Sequence, residues 1–243
     1  MESTLTVLLY AGLAAAMAVF GVVPLVSGRE VPLRTIGWAN ALASGLMLGV
    51  AYSLLAKGLL NAGVQGGLGA LLGILFVRLT HAATGTADLE LNRLNDPRPE
   101  YGYQVILVNT LHSAHEGVAI GAAMAVSLPF GILMALALAV HNIPEATIQS
   151  SIVMNRGVRL RDAAALAVAT NASQVLLAVV SFALIAAAPA VLPWAVGFAV
   201  GALIYLVMVE LLVESYREAG HTSIALLTVV AMGMVVLLLG RPG

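Results

Sequence analysis

Long apolar stretches recur down the whole length of this chain, each close to the roughly 20 residues that span a hydrocarbon core. A segment immersed in lipid finds no water for its backbone N–H and C=O groups, which leaves helices or a closed barrel. These stretches are uniformly apolar instead of alternating, and they are rich in Ala, Leu and Gly. That selects helices over barrel strands. The spans read as 4–26, 36–57, 61–81, 101–126, 129–154, 160–187, 190–214 and 222–240. Turn signals separate them: Ser27-Gly28-Arg29, Asn61-Ala62-Gly63, Ser127-Leu128-Pro129, Asn155-Arg156-Gly157, Pro189 with Pro193, and Gly220. The longest connection, 82–100, is polar and ends in Asp96-Pro97-Arg98-Pro99-Glu100, which predicts a surface loop. The expected fold is all-α: one transmembrane domain over 1–243 with eight membrane helices.

Composition supports this and narrows the partners. Only 9% of residues are charged and 60% are hydrophobic, against about 25% charged in a soluble domain. The partner surface is therefore the lipid bilayer. The formal net charge of −1 comes without a basic tract, so no nucleic-acid partner is expected. There are no cysteines, so disulfides are excluded and any metal must be held by nitrogen and oxygen. Met1-Glu2-Ser3-Thr4 lacks a positive n-region, and the first apolar run reads as a retained span.

Loops after spans one, three, five and seven hold Arg29, Arg34, Arg78, Arg93, Arg98, Arg156, Arg159, Arg161 and Arg217. The opposite side holds Lys57 and Arg241. Lys and Arg concentrate in cytoplasmic loops. Nine against two therefore places loop 82–100 in the cytoplasm and both termini outside, and it requires an even number of spans.

Two spans break the apolar rule. The fourth contains His112-Ser113-Ala114-His115-Glu116-Gly117 and the fifth His141-Asn142-Ile143-Pro144-Glu145. An ionisable group at mid-membrane costs about 3 kcal/mol on insertion scales, so it marks a functional candidate. In each segment a His and a Glu stand four residues apart, on one helix face. The segments are also mirror images about the turn between Leu128 and Pro129. Glu116 lies 12 positions before Leu128 and His141 lies 12 after Pro129; His112 and Glu145 lie 16 away on either side. An antiparallel hairpin sets Glu116 level with His141, and His112 level with Glu145. Two carboxylates there repel unless a cation or protons neutralise them. A divalent metal neutralises both and accepts four ligands. Pro144 frees a carbonyl one turn earlier, which fits either a polar cavity or a simple kink.

These segments resemble the signature helices of the ZIP (Zrt/Irt-like) divalent metal transporters, most closely the bacterial GufA-like branch. That family carries His-Asn-x-x-Glu-Gly in its fourth helix and His-Asn-x-Pro-Glu in its fifth. Here the matching residues are His112, Glu116 and Gly117, then His141, Asn142, Pro144 and Glu145. The resemblance implies a carrier of Zn²⁺, or of the related Fe²⁺, Mn²⁺ or Cd²⁺, into the cytoplasm of a bacterium across its inner membrane. Metal would be the substrate, with no catalytic cofactor, and a homodimer is the assembly left open. It also implies an inverted repeat of helices 1–3 and 6–8 around 4 and 5. The main metal site would be His112, Glu116, His141 and Glu145, and a second would use the positions of Ser113, Asn142 and Gln174. Ser113 stands where Asn is usual, His115 where proline is frequent, and Asn142 and Gln174 are neutral where some members carry acids. One strong site is therefore expected, with the second weak or absent. His115 is expected either to add a ligand or to face a neighbouring helix.

Asn171, Ser173 and Gln174 in span six, and Asn40 with Ser44 in span two, read as pathway-lining or interhelical bonds. Glu210 and Glu214 read as interfacial charges closing span seven, with an acidic exit for metal as the alternative. His81 is the one histidine at the edge of the long loop. Two rival functions fit the residues less well. An intramembrane metal-dependent hydrolase lacks an H-E-x-x-H pair and an open metal position. A proton-only carrier would need no metal.

Overall fold

A computed structural model of the chain describes residues 2–27, 31–58, 63–86 and 98–239. The turn signals at Gly28-Arg29 and Asn61-Ala62, most of loop 82–100, and Arg93 and Arg241 lie outside these residues. Among the described residues there are helices and no strands. In order they are α1 (Glu2–Met17), continued as a 3-10 turn over Ala18–Leu25, α2 (Leu33–Gly58), α3 (Gly63–Thr84), α4 (Pro99–Val126) and α5 (Leu128–Met154). Then come α6 (Leu160–Thr170) with α7 (Ala172–Ala187), α8 (Leu192–Leu206), α9 (Leu212–Ala219) and α10 (His221–Leu239).

Among the described residues, seven segments are long and apolar enough to cross a membrane: Ser3–Leu25, Leu33–Gly58, Gly63–Thr84, Leu128–Met154, Leu160–Ala187, Pro189–Ala219 and His221–Leu239. The eighth expected span, α4, has the length, 28 residues, but its polar groups from Gln104 to Glu116 leave it less apolar than the rest. Span seven also differs from expectation. It runs on past residue 214 to Ala219, through a π-helical segment at Val207–Leu211. Glu214 and Ser215 are buried inside it instead of closing it. The run Glu214–Glu218 looks like a helix end because it is polar, yet one face of it packs on α2.

The helices sort into two bundles. In the first, α4 and α5 pack on each other, on α1 with its 3-10 extension, and on α6 and α7. In the second, α3 packs along α8, and α2 packs along α10, α8 and α9. The main pairings exchange when helices 1, 2, 3 and 4 are swapped for spans 6, 7, 8 and 5: α3 with α8 becomes α10 with α2. Such an exchange is what the expected inverted repeat would generate.

Close helix approach inside each bundle depends on glycine. A Cβ on Gly69 would lie 2.5 Å from the Trp194 carbonyl oxygen, and one on Gly49 2.6 Å from Val235 Cβ. One on Gly117 would meet the Gln174 backbone, and one on Gly21 would sit 2.5 Å from Ala146 Cβ. Every such contact of a described glycine lies within one bundle, none across the boundary. Gly66, Gly69 and Gly73 of the third span face α8 as close-packing residues, whereas Gly67 faces open space.

Candidate metal centre

The turn that joins α4 to α5 sets the register of the centre. Ser127 adopts an extended backbone between the two helices, and its hydroxyl accepts a hydrogen bond from the Phe130 N–H at 3.4 Å. Pro129 fits the first turn of α5, where its missing N–H has no helical partner anyway. From that turn the arms run back antiparallel. Glu116 Oε1 meets His141 Nε2 at 2.9 Å, and His112 Nδ1 faces Glu145 Oε1 at 3.7 Å. The level pairing expected from the mirrored spacing is thus the pairing observed. Within α5, His141 Nε2 and Glu145 Oε2 are 3.5 Å apart, as the i,i+4 spacing requires.

The side chains sort into two triads. Glu116, His141 and Glu145 offer ligand atoms within 4.8 Å of one another, and so do His81, His112 and Glu210. His112 joins them, with Nδ1 toward Glu145 and Nε2 toward Glu210 Oε2 at 3.4 Å. His81 Nε2 faces Glu210 Oε1 at 3.1 Å. Two atoms each about 2.1 Å from a tetrahedral ion lie roughly 3.4 Å apart, so these spacings match those around one cation. Glu116 Oε1, Glu145 Oε2, His81 Nε2 and His112 Nε2 are buried and make no hydrogen bond among the described residues. Buried polar atoms are normally satisfied, and a cation would satisfy these four.

The surroundings differ on the two sides. Toward the arginine-bearing ends, a cavity continues past Asn109, Asn40 and Ile148 to Leu211. The open space at its centre is about 10 Å³, roughly enough for one water-sized body. Toward the Lys57 end, Met47, Val50, Leu54, Ile120, Met134 and Leu138 form a buried apolar core. Farther out on that side the Lys57 ammonium lies 4.9 Å from the Phe130 ring centre, reaching from one bundle to the other.

The residues expected at a second site are held by hydrogen bonds. The Gln174 amide donates to Glu116 Oε2 at 3.2 Å, and its carbonyl accepts from Asn142 Nδ2 at 3.1 Å. Asn142 also donates to the Ala14 carbonyl at 2.9 Å. Ser113 lies elsewhere, donating to Asn171 Oδ1 at 3.1 Å where α6 gives way to α7. His115 is buried and belongs to neither triad; its ring centre is 5.8 Å from that of His112. Asn40 Nδ2 reaches Glu214 at 3.5 Å across the second bundle.

Sequence reasoning missed His81 and Glu210 as members of the centre. Their signal was faint: each stands near the end of an apolar span beside another charge, Arg78 for His81 and Glu214 for Glu210. Glu210 lies in the π-helical segment, where one extra residue per turn re-aims the side chains that follow.

Residues 96–240 match the protein family described as ZIP zinc transporter. A candidate zinc transporter of Arabidopsis thaliana is 32% identical over 227 residues, which cover 92% of this chain and 36% of that protein. The chain therefore spans about a third of the length of that relative.

Proposed function

The chain belongs to the ZIP zinc transporter family, and from that premise we propose that it carries a divalent cation, Zn²⁺ foremost, toward the arginine-rich side of the membrane. The carrying site is His112, Glu116, His141 and Glu145. One observation supports this above the rest: one hairpin, buried in the fold, holds two imidazoles and two carboxylates with neighbouring ligand atoms 2.9–3.7 Å apart. Uncompensated, the carboxylates would repel in a medium of low dielectric. A divalent ion removes that repulsion, and imidazole with carboxylate suits zinc while admitting Cd²⁺, Fe²⁺ and Mn²⁺. The arginine bias favours loop 82–100 in the cytoplasm and both termini outside; inward transport is what the family resemblance implies, and a bacterial inner membrane is the setting we favour.

Alternating access follows from the packing. A small cavity with Asn40 and Asn109 in its wall adjoins the site toward the arginine-rich side, and buried apolar side chains close it off toward Lys57. The hairpin belongs wholly to the first bundle. Sliding that bundle against the second would carry the site across without breaking any glycine-mediated contact. Protons compete with metal for imidazole and carboxylate ligands, so affinity should fall as pH drops from 8 to 5. The hydrolase alternative is not favoured, since ZIP members transport.

The test is uptake of Zn²⁺, Cd²⁺, Fe²⁺ and Mn²⁺ into proteoliposomes. His141→Ala and Glu145→Ala should each reduce uptake by at least about tenfold, as loss of a ligand does. Undiminished uptake by both variants would sink the assignment.

A further inference from the structure

The second helix gives one of its faces to the wall of the cavity at the carrying site. Asn40, Ala43 and Met47 stand three and four residues apart on α2, and all three line the cavity with His112, Glu116, His141 and Glu145. From Leu33 on the arginine-rich side, α2 runs to Lys57. At 1.5 Å of rise per residue, Met47 lies about 10 Å beyond Asn40 toward that end. The hairpin runs alongside. Glu116 pairs with His141 at the level nearer Lys57, and His112 faces Glu145 one turn closer to the arginines.

One turn farther toward Lys57, Ile120 follows Glu116 on α4 and Leu138 precedes His141 on α5. Both belong to one buried cluster with Met47, which is itself fully buried. Met47 therefore meets the cavity where the ligand level gives way to the apolar seal. A leucine or isoleucine would close that end equally well. Methionine adds a polarisable thioether to it. The chain has no cysteine. Among the described residues, Met47 is the one sulfur-bearing side chain in the wall of this cavity.

We propose that Met47 is a specificity-determining residue: its thioether sulfur contacts the bound cation from α2 and biases the carrying site toward soft Cd²⁺ over hard Mn²⁺. Carboxylate suits hard ions such as Mn²⁺, imidazole suits Zn²⁺, and thioether sulfur selects soft ions. The four hairpin ligands contain no sulfur, so they alone discriminate weakly between Cd²⁺ and Mn²⁺. A thioether carries no charge, and its contribution comes from polarisability. A soft ion gains from that contact and a hard ion does not. The inference deepens the function proposed above and rests on its carrying site.

Two measurements on the purified full chain test it. The first is X-ray absorption at the cadmium edge, with Cd²⁺ bound to the native chain. A sulfur neighbour should appear beside nitrogen and oxygen, and in a chain without cysteine it can come only from methionine. Met47→Leu should abolish it. That exchange conserves volume, which buried positions tolerate best. The second is equilibrium binding of Cd²⁺ and of Mn²⁺. Met47→Leu should weaken Cd²⁺ binding by about tenfold, as loss of a group that tunes a metal site does. Mn²⁺ binding should not change. A side chain that only packs would move both ions together or neither. Cd²⁺ bound with no sulfur neighbour, a sulfur neighbour that survives Met47→Leu, or equal effects on the two ions overturns the role of Met47 and leaves the carrying site standing. Cd²⁺ binding that is absent from the native chain, or undiminished by His141→Ala and Glu145→Ala, overturns the carrying site and Met47 with it.

Discussion

Gln174 reaches the hairpin from a third helix. Its amide hydrogen points at Glu116 Oε2, and its carbonyl is taken by Asn142. A neutral donor thus lies against Glu116, where a carboxylate would add charge. Gln174→Glu should reverse this. Without metal, a third carboxylate beside Glu116 should destabilise the fold by about 1–3 kcal/mol, as an unmatched buried polar group does. With Cd²⁺, stability should recover and one more ion per chain should bind. Thermal unfolding with and without Cd²⁺, together with binding stoichiometry, checks both. An unchanged stoichiometry would show that charge is not what limits the second site. At this scale the sequence was informative where the candidate ligands are close along the chain: His112, Glu116, His141 and Glu145 follow from two i,i+4 pairs and a mirrored offset. His81 and Glu210 were not legible. They meet through helix–helix docking across 129 positions, and no local spacing encodes that.

Helix packing predicts opposite signs for one kind of substitution. Gly117 and Gly67 both lie inside helices, where Ala is intrinsically favoured over Gly by about 1 kcal/mol. At Gly67 a Cβ meets nothing within 4 Å, so Gly67→Ala should stabilise by about 0.4–1 kcal/mol. At Gly117 the same Cβ runs into the Gln174 backbone, which cannot rotate away. Overpacking of that kind costs about 1–3 kcal/mol and outweighs the helix gain. Gly117→Ala should therefore unfold at lower temperature than the native protein, and Gly67→Ala at higher. Two shifts of the same sign would refute the packing account. Helix boundaries were legible to within a few residues wherever a turn residue marked them, as at Ser127 and Gly220. Span seven was misjudged because burial on one face, and not composition, decides where a polar helix ends.

For the whole molecule, hydropathy and arginine sorting yielded the number of spans but not their partnership. Spans adjacent in the chain lie in opposite bundles, as the first and second do, or in the same one, as the second and third do, for reasons of shape. Grouping 1, 4, 5 and 6 apart from 2, 3, 7 and 8 depends on which glycines find which neighbours, and a linear pattern does not carry that. The bundle boundary can be tested directly because the chain has no native cysteine. Lys57 and Phe130 face each other across it. In a Lys57→Cys, Phe130→Cys variant, a short bifunctional thiol reagent should join the bundles and stop uptake. The same reagent on either single variant should leave uptake intact. Full uptake by a chain shown to be cross-linked would mean that these bundles do not slide.

The polar character of α4 also bears on how the protein is made. A translocon releases a nascent segment sideways into lipid according to its apolarity, and α4 is the helix that falls short of the other seven. On the ribosome it should wait, unreleased, until α5 arrives to cover its histidines and glutamate. A nascent chain stalled after Val126 should therefore leave α4 extractable by alkali, and one stalled after Met154 should not.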